Sequence, residues 1–165
     1  MSLITIQRDS SDYDRKSREL LRSIRDRRKV LLASAVAVDK WIQKNFEAEG
    51  RNHKNPKYHW KELSEVTIEM RRARLGGRGS GNEKILKDRG NLKRNWQISA
   101  NNNHGIVKSK VNYSSLHENG GTVSFRGKRV KVPQRKIFPD KKQLNEIINP
   151  VFELYANQLA RNFNE

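Results

Sequence analysis

The sequence predicts an α+β fold: an antiparallel sheet of about four strands packed with a long N-terminal helix and a C-terminal helix. Three observations carry this. Glycine and proline do not occur before Gly50, and apolar residues in that stretch recur at Leu20, Ile24, Leu31, Ala35, Val38, Ile42 and Phe46, the steps of a helical stripe. Four short segments between Trp96 and Val132 are separated by Asn/Gly-rich or basic turns, as hairpins are. Leu144, Ile148, Phe152, Tyr155, Leu159 and Phe163 again step by three or four, so the chain ends in a helix.

At 165 residues the chain is long enough for one compact domain. The expected division is a basic helical segment over 1–45, which projects or packs, and a domain over 46–165. A helix from Ser17 to Phe46 would be about 45 Å long. Its first half is cationic nearly all round (Arg15, Lys16, Arg18, Arg22, Arg25, Arg27, Arg28), and its second half, much more apolar, is the half expected to pack. The polar stretch from Gly50 to His59 reads as a loop, and Trp60 and Leu63 anchor it to the core. Ser64 is placed to cap a short helix running to about Arg72. Leu75 to Asn82, with four glycines in six residues, reads as a linker or mobile loop. Ile85 to Trp96 enters a short helix with Leu92 and Trp96 on one face and Asn91 as its cap. Strands are expected at 96–100, 105–111, 122–125 and 129–132, with turns at Asn101–Gly105 and Arg126–Lys128. Between the second and third, Tyr113 to Asn119 forms a helical turn ended by Gly120 in the left-handed conformation. Asp140 and Gln143 have capping-box spacing, and Asn149 with Pro150 marks a fresh helix start.

Composition narrows the function. Lysine and arginine number 35 against 18 acids, a net charge of +17, and apolar residues are only 34%. Self-repulsion at that charge calls for an anionic partner: nucleic-acid backbone or an acidic protein surface. Cysteine is absent, which removes disulfides, thiolate catalysis and sulfur-rich zinc sites and fits assembly in a reducing cytoplasm. The longest apolar run, Val30 to Val38, is far short of the roughly 20 residues a bilayer span needs, and no signal-peptide pattern is visible.

No catalytic set assembles. Gly76 and Gly81 have the outer spacing of a phosphate-binding loop, but Asn82-Glu83 stand where Lys-Ser/Thr is required. His53 and His59 share a loop without a third ligand, and His117-Glu118 lacks the second histidine of a zinc hydrolase helix. Ser114 and Ser115 precede His117 without a nucleophile elbow, and the C-terminal half offers no carboxylate pair for acid/base work. Neither a catalytic residue, a metal nor a cofactor is therefore expected. His117 itself either packs on the sheet with a ring nitrogen bonded to backbone or makes a contact between subunits. The strongest local feature is the basic cluster Arg126, Lys128, Arg129, Lys131, Arg135 and Lys136, flanked by Phe125 and Phe138. A projecting basic tip suits phosphate contact, an acidic patch on a neighbour, or a charged edge that blocks sheet aggregation.

Four short elements also carry a resemblance: Trp60-Lys-Glu-Leu63-Ser64 through Thr67; Ile85-Leu86 through Gly90, Leu92 and Trp96; Tyr113-Ser-Ser-Leu-His117-Glu118-Asn-Gly120-Gly121; and Pro133-Gln-Arg135-Lys-Ile-Phe138. In order and spacing they resemble the bacteriophage virion morphogenesis family, meaning the Mu-type G proteins and P2-type tail completion proteins. The resemblance runs from about Phe46 to Phe163. Ser114, Arg89 and Lys136 depart from residues usual in the family. It implies a structural protein, not an enzyme, acting as a tail completion, tail terminator or neck component. It also implies a homo-oligomeric ring, expected to be a hexamer, with other neck or tail proteins as partners, channel DNA as a candidate partner, and no membrane. The expected location is the virion, after assembly in the host bacterial cytoplasm. Six copies would concentrate a charge on the order of +100. The alternative is a cellular nucleic-acid-binding protein with no role in virions, although no recognisable nucleic-acid-binding signature is present.

Overall fold

The computed structural model describes residues 10–74, 84–125 and 127–164. The glycine-rich stretch 75–83 and Arg126 lie outside them. The described chain is α+β. In order it runs α1 (Ser10–Arg25), α2 (Arg28–Glu47), a 3-10 turn (Pro56–Tyr58), α3 (Glu65–Arg74), α4 (Asn91–Arg94), β1 (Trp96–Ala100), β2 (Gly105–Ser109), α5 (Ser114–Asn119), β3 (Gly121–Phe125), β4 (Lys128–Val132) and α6 (Lys141–Asn164).

The N-terminal stripe is two helices rather than one. The break falls at Asp26-Arg27, where the Asp26 carboxylate accepts from the Arg28 N–H at 3.3 Å while Leu31 N–H bonds to the Arg27 carbonyl at 3.0 Å. A short acidic side chain that can serve backbone donors competes with helix continuation. The half expected to pack does so: Val30, Ala35, Val38, Ile42 and Phe46 are buried on α2. The core gathers Val38, Ile42 and Phe46 with Trp60, Ile85, Leu86, Leu92 and Ile137, and Trp96, Val107, Phe138, Leu144 and Ile148 pack against it. Both β1–β2 and α6 pack on α2, and α1 rests on α6, where the Tyr155 hydroxyl donates to the Ser23 carbonyl at 2.9 Å.

The expected four-stranded sheet is instead two separate two-stranded antiparallel sheets, β1–β2 and β3–β4. The first keeps the register Trp96↔Ser109 to Ala100↔Gly105, and the second Gly121↔Val132 to Phe125↔Lys128. Two features explain the split. After β2 the chain enters α5 and does not turn back along the strand. The segment after β4 then returns to α5, where Arg135 N–H donates to the His117 carbonyl at 2.7 Å. Gly120 makes this return possible, though not in the helix-ending conformation expected. It has φ +72° with ψ 176°, and a Cβ there would lie 2.9 Å from the Gln134 nitrogen.

Two capping expectations change in detail. Asp140 caps α6, its Oδ1 accepting from Gln143 N–H at 2.9 Å. The Gln143 side chain does not close the box, because it is buried against the loop at Asn52-His53. Gly90, at φ +72°, occupies the cap position of α4, and Asn91 is its first residue. α6 also runs unbroken through Pro150. Pro150 is exposed, so the hydrogen bond that its ring nitrogen cannot donate is lost at solvent, where water can serve the freed carbonyl. Ser64 behaves as read, accepting from Thr67 N–H at 3.4 Å.

Candidate functional site

The four short elements converge. Leu63, Ser64 and Thr67 from the first, Leu86, Gly90 and Leu92 from the second, Tyr113 and His117 from the third, and Pro133 and Arg135 from the fourth line one cleft of about 480 Å3. The segment Pro133 to Phe138 holds the cleft together from behind. The Lys136 carbonyl accepts from Trp60 Nε1 at 2.7 Å and from Asn45 Nδ2 at 3.2 Å, and lies 3.0 Å from His53 Nε2. The Glu118 carboxylate accepts from Ile137 N–H at 2.5 Å and Phe138 N–H at 3.2 Å. Trp60 stands edge-on to Phe46 with ring centres 5.2 Å apart, and Phe138 stands edge-on to Trp96 at 5.4 Å. These contacts place Trp60, Glu118 and Phe138 as architecture, and Leu92 is buried in the core.

Arg135 is different. The residue is 6% exposed, and Nε and one terminal nitrogen of its guanidinium donate to the Lys61 and Glu62 carbonyls at 3.1 and 3.2 Å. Burial, and then the nearby Arg71 guanidinium, push it below its usual value. No carboxylate among the described residues pairs with it. His117 stands beside it, edge-on to Tyr113 with ring centres 5.9 Å apart. Its buried Nδ1 has no hydrogen-bond partner, so the backbone bond expected of the ring does not form. Burial, and then Arg135, bring the imidazole down to about 4, so it is neutral at pH 7.

The basic cluster divides. Arg129 and Lys131 are exposed on β4, and the register puts them on one face with Thr122 and Ser124. Lys128 begins β4 at the hairpin end, and Arg126 lies outside the described residues. Arg135 is buried in the cleft wall, and the Lys136 ammonium lies 4.2 Å over the Tyr58 ring. The six cations therefore do not form one surface. The hairpin tip and the cleft are distinct features joined by Lys131, which also lines the cleft.

His53, read in the sequence as a loop histidine, is 2% exposed and ties the loop to α6 through Gln143 Oε1 at 3.1 Å. Burial holds it below its ordinary value, against the contrary pull of the Lys136 carbonyl and Gln143. The only sequence hint of this role was its place between apolar anchors. Among the described residues no group of three or more His, Cys, Asp or Glu side chains could hold a metal ion, and no helix is long and apolar enough to cross a membrane.

No curated protein and no solved structure matches the chain. The family model of the phage virion morphogenesis family matches residues 9–155, which include all four elements that build the cleft and the basic hairpin between them. The chain thus belongs to the phage virion morphogenesis family, whose role is structural and lies in virion assembly.

Proposed function

We propose that the protein completes or terminates the tail, or joins head to tail at the neck, as one subunit of a ring, most simply a hexamer. Its exposed β3–β4 hairpin would turn toward DNA in the channel or toward an acidic neighbour. The observation that carries this is the mounting of that hairpin. Arg129 and Lys131 lie on a two-stranded sheet that stands apart from β1–β2 and is anchored by the α5 and Pro133–Phe138 contacts. A hairpin so placed contributes little to the core and is free to meet a partner. The net charge of +17 makes an anionic partner the electrostatically favoured one. Assembly takes place in the host bacterial cytoplasm, and the finished protein remains in the virion.

The test is electron microscopy of particles produced without the protein. Unjoined heads and tails, or tails of uncontrolled end structure, are expected. Finished, infectious virions would count against the role. Native mass spectrometry of the purified chain and of particle necks reports whether a closed ring forms.

A further inference from the structure

The chain's charge of +17 opposes contact between two copies, so a face that joins them must set acids against bases locally. One pair of faces does so. The first is an apolar groove of about 680 Å3 between α2 and α6. Leu32, Val36, Val151 and Leu154 give it apolar sides, and Leu154 is 70% exposed. Ala33 and Ala37, one turn apart on α2, leave room for another helix to approach. Lys29 and Lys40 bracket the α2 side, roughly 16 Å apart along the helix. This is not the face that builds the core. Leu32, Val36 and Lys40 each sit two positions before buried Ser34, Val38 and Ile42, about 200° round the helix. The second face is on α3. Thr67 and Arg71 turn to the cleft, which leaves Glu65, Val66, Glu69 and Met70 exposed on the other side, with Val66 and Met70 at 59% and 53%. The two acids and the two apolar residues each repeat at four positions, so they form adjacent rows. The cations of α3 fall in its last turn, at Arg71, Arg72 and Arg74. No ion pair among the described residues uses Glu65 or Glu69. At ten residues α3 is about 15 Å long, close to the span between the two lysines.

We infer that α3 of one copy of this chain docks in the α2–α6 groove of the next, with Val66 and Met70 entering between Leu32 and Leu154 and with Glu65 and Glu69 meeting Lys29 and Lys40. Docking buries apolar surface on both sides and relieves the repulsion between two acids one turn apart. The occupant is a second copy for two reasons. Within one chain α3 is held at the cleft, where Arg71 donates to the Lys84 carbonyl at 3.0 Å, and none of its residues lines the groove. The other exposed pair of large apolar side chains on a described helix outside the groove, Leu21 and Ile24 on α1, lies among Arg18, Arg22 and Arg25, which the groove lysines repel. Because the two faces differ, the contact is heterologous, and repeated copies close a ring or extend as a filament. Closure rests on the ring reading above; the pairwise contact is a property of the isolated chain.

The experiment pairs two full-length variants changed at exposed positions. Val66→Glu with Met70→Glu spoils the α3 face, and Leu32→Glu with Leu154→Glu spoils the groove. By native mass spectrometry at micromolar protein, the wild type is expected to self-associate and each variant alone to be monomeric. Their equimolar mixture is expected to stop at a one-to-one heterodimer, one intact groove filled by one intact α3. Circular dichroism checks that both variants fold. If either does not, Glu65→Lys with Glu69→Lys takes its place: this pair should weaken association about tenfold, and adding Lys29→Glu with Lys40→Glu should restore it. A monomeric wild type, variants that associate as the wild type does, or a mixture without the heterodimer would overturn the inference. So would a groove variant that self-associates normally yet fails to complete particles, since the groove would then receive another virion protein. The assembly role is read separately. Neck rings formed by both variants sink this contact and leave the ring reading standing. The heterodimer, together with finished virions made without the protein, does the reverse.

Discussion

The two hairpins of this protein are alike on paper and opposite in use. Each pairs two five-residue strands in antiparallel register. β1–β2 lies on α2, and Gly105 comes so close that a Cβ there would be 2.6 Å from the Leu31 carbonyl oxygen. β3–β4 carries exposed Thr122, Ser124, Arg129 and Lys131 along one face. What separates them is the surface each is mounted on, not the quality of their pairing. The first has a helix to cover it. The second has a stem, built from α5 and the Pro133–Phe138 segment, that holds only its base.

That contrast can be broken at its anchor first. Ile137, beside the stem's anchoring bond from Glu118, is fully buried in the core, and Ile137→Ala should cost about 2–5 kcal/mol in urea unfolding, the range for buried aliphatic truncations. A loss below about 1 kcal/mol would show that the stem is not coupled to the core. Next, Gly105→Ala should destabilise by about 1–3 kcal/mol, because either the Leu31 backbone or the strand must shift. Ser124→Thr, which also adds one methyl group, should stay within about 0.5 kcal/mol because it faces solvent. Equal effects would erase the distinction between the hairpins.

Acid should act through the stem. His117 is lowered to about 4 in the fold from an ordinary 6.5, so below pH 6.5 the unfolded chain binds the proton more readily. The stability due to its neutral form is complete above pH 6.5 and is lost as pH falls through about 4. With discounting for its partial exposure, the loss is about 1–2 kcal/mol. His53 is lowered too and adds in the same direction. His117→Asn should flatten the thermal-melt profile across that window, and an unchanged slope would assign the effect elsewhere. The smallest stability effect is expected from Arg129→Glu with Lys131→Glu, within about 0.5 kcal/mol. The same pair should reduce the salt dependence of duplex-DNA binding by about two phosphate contacts. An unchanged salt slope would place DNA contact, if any, away from the hairpin.

Much of this architecture was legible from residue pattern alone. The apolar stripe of α2, the strands near 96–100 and 128–132, the Ser64 cap and the anchoring of Trp60 follow from local rules that the fold obeys. Most of the misses share one cause: long-range partners decided them. Nothing near Pro150 says that packing along α2 will carry a helix through it. Nothing near Gly120 says that Gln134 will press against it and divert the sheet. The Asp26 break is local, but the stripe continues across it with helical spacing and hides it. At the candidate site the same limit applies. Arg135 and Lys136 read as part of one basic run, yet the backbone turns Arg135 into the cleft and stacks Lys136 on Tyr58. The four elements were readable one by one, but their meeting around a single recess was not.

Glu118 gives the hairpin its mechanical character. One carboxylate, on the last turn of α5, holds two consecutive amides of the chain that returns from the tip. A push on the tip is borne at this acid, at the Arg135 N–H bond to the His117 carbonyl and at the Gln134 side-chain bond to the Glu118 carbonyl, next to Ile137 in the core. A lever with so short and stiff a fulcrum lets whatever touches the far end be felt inside.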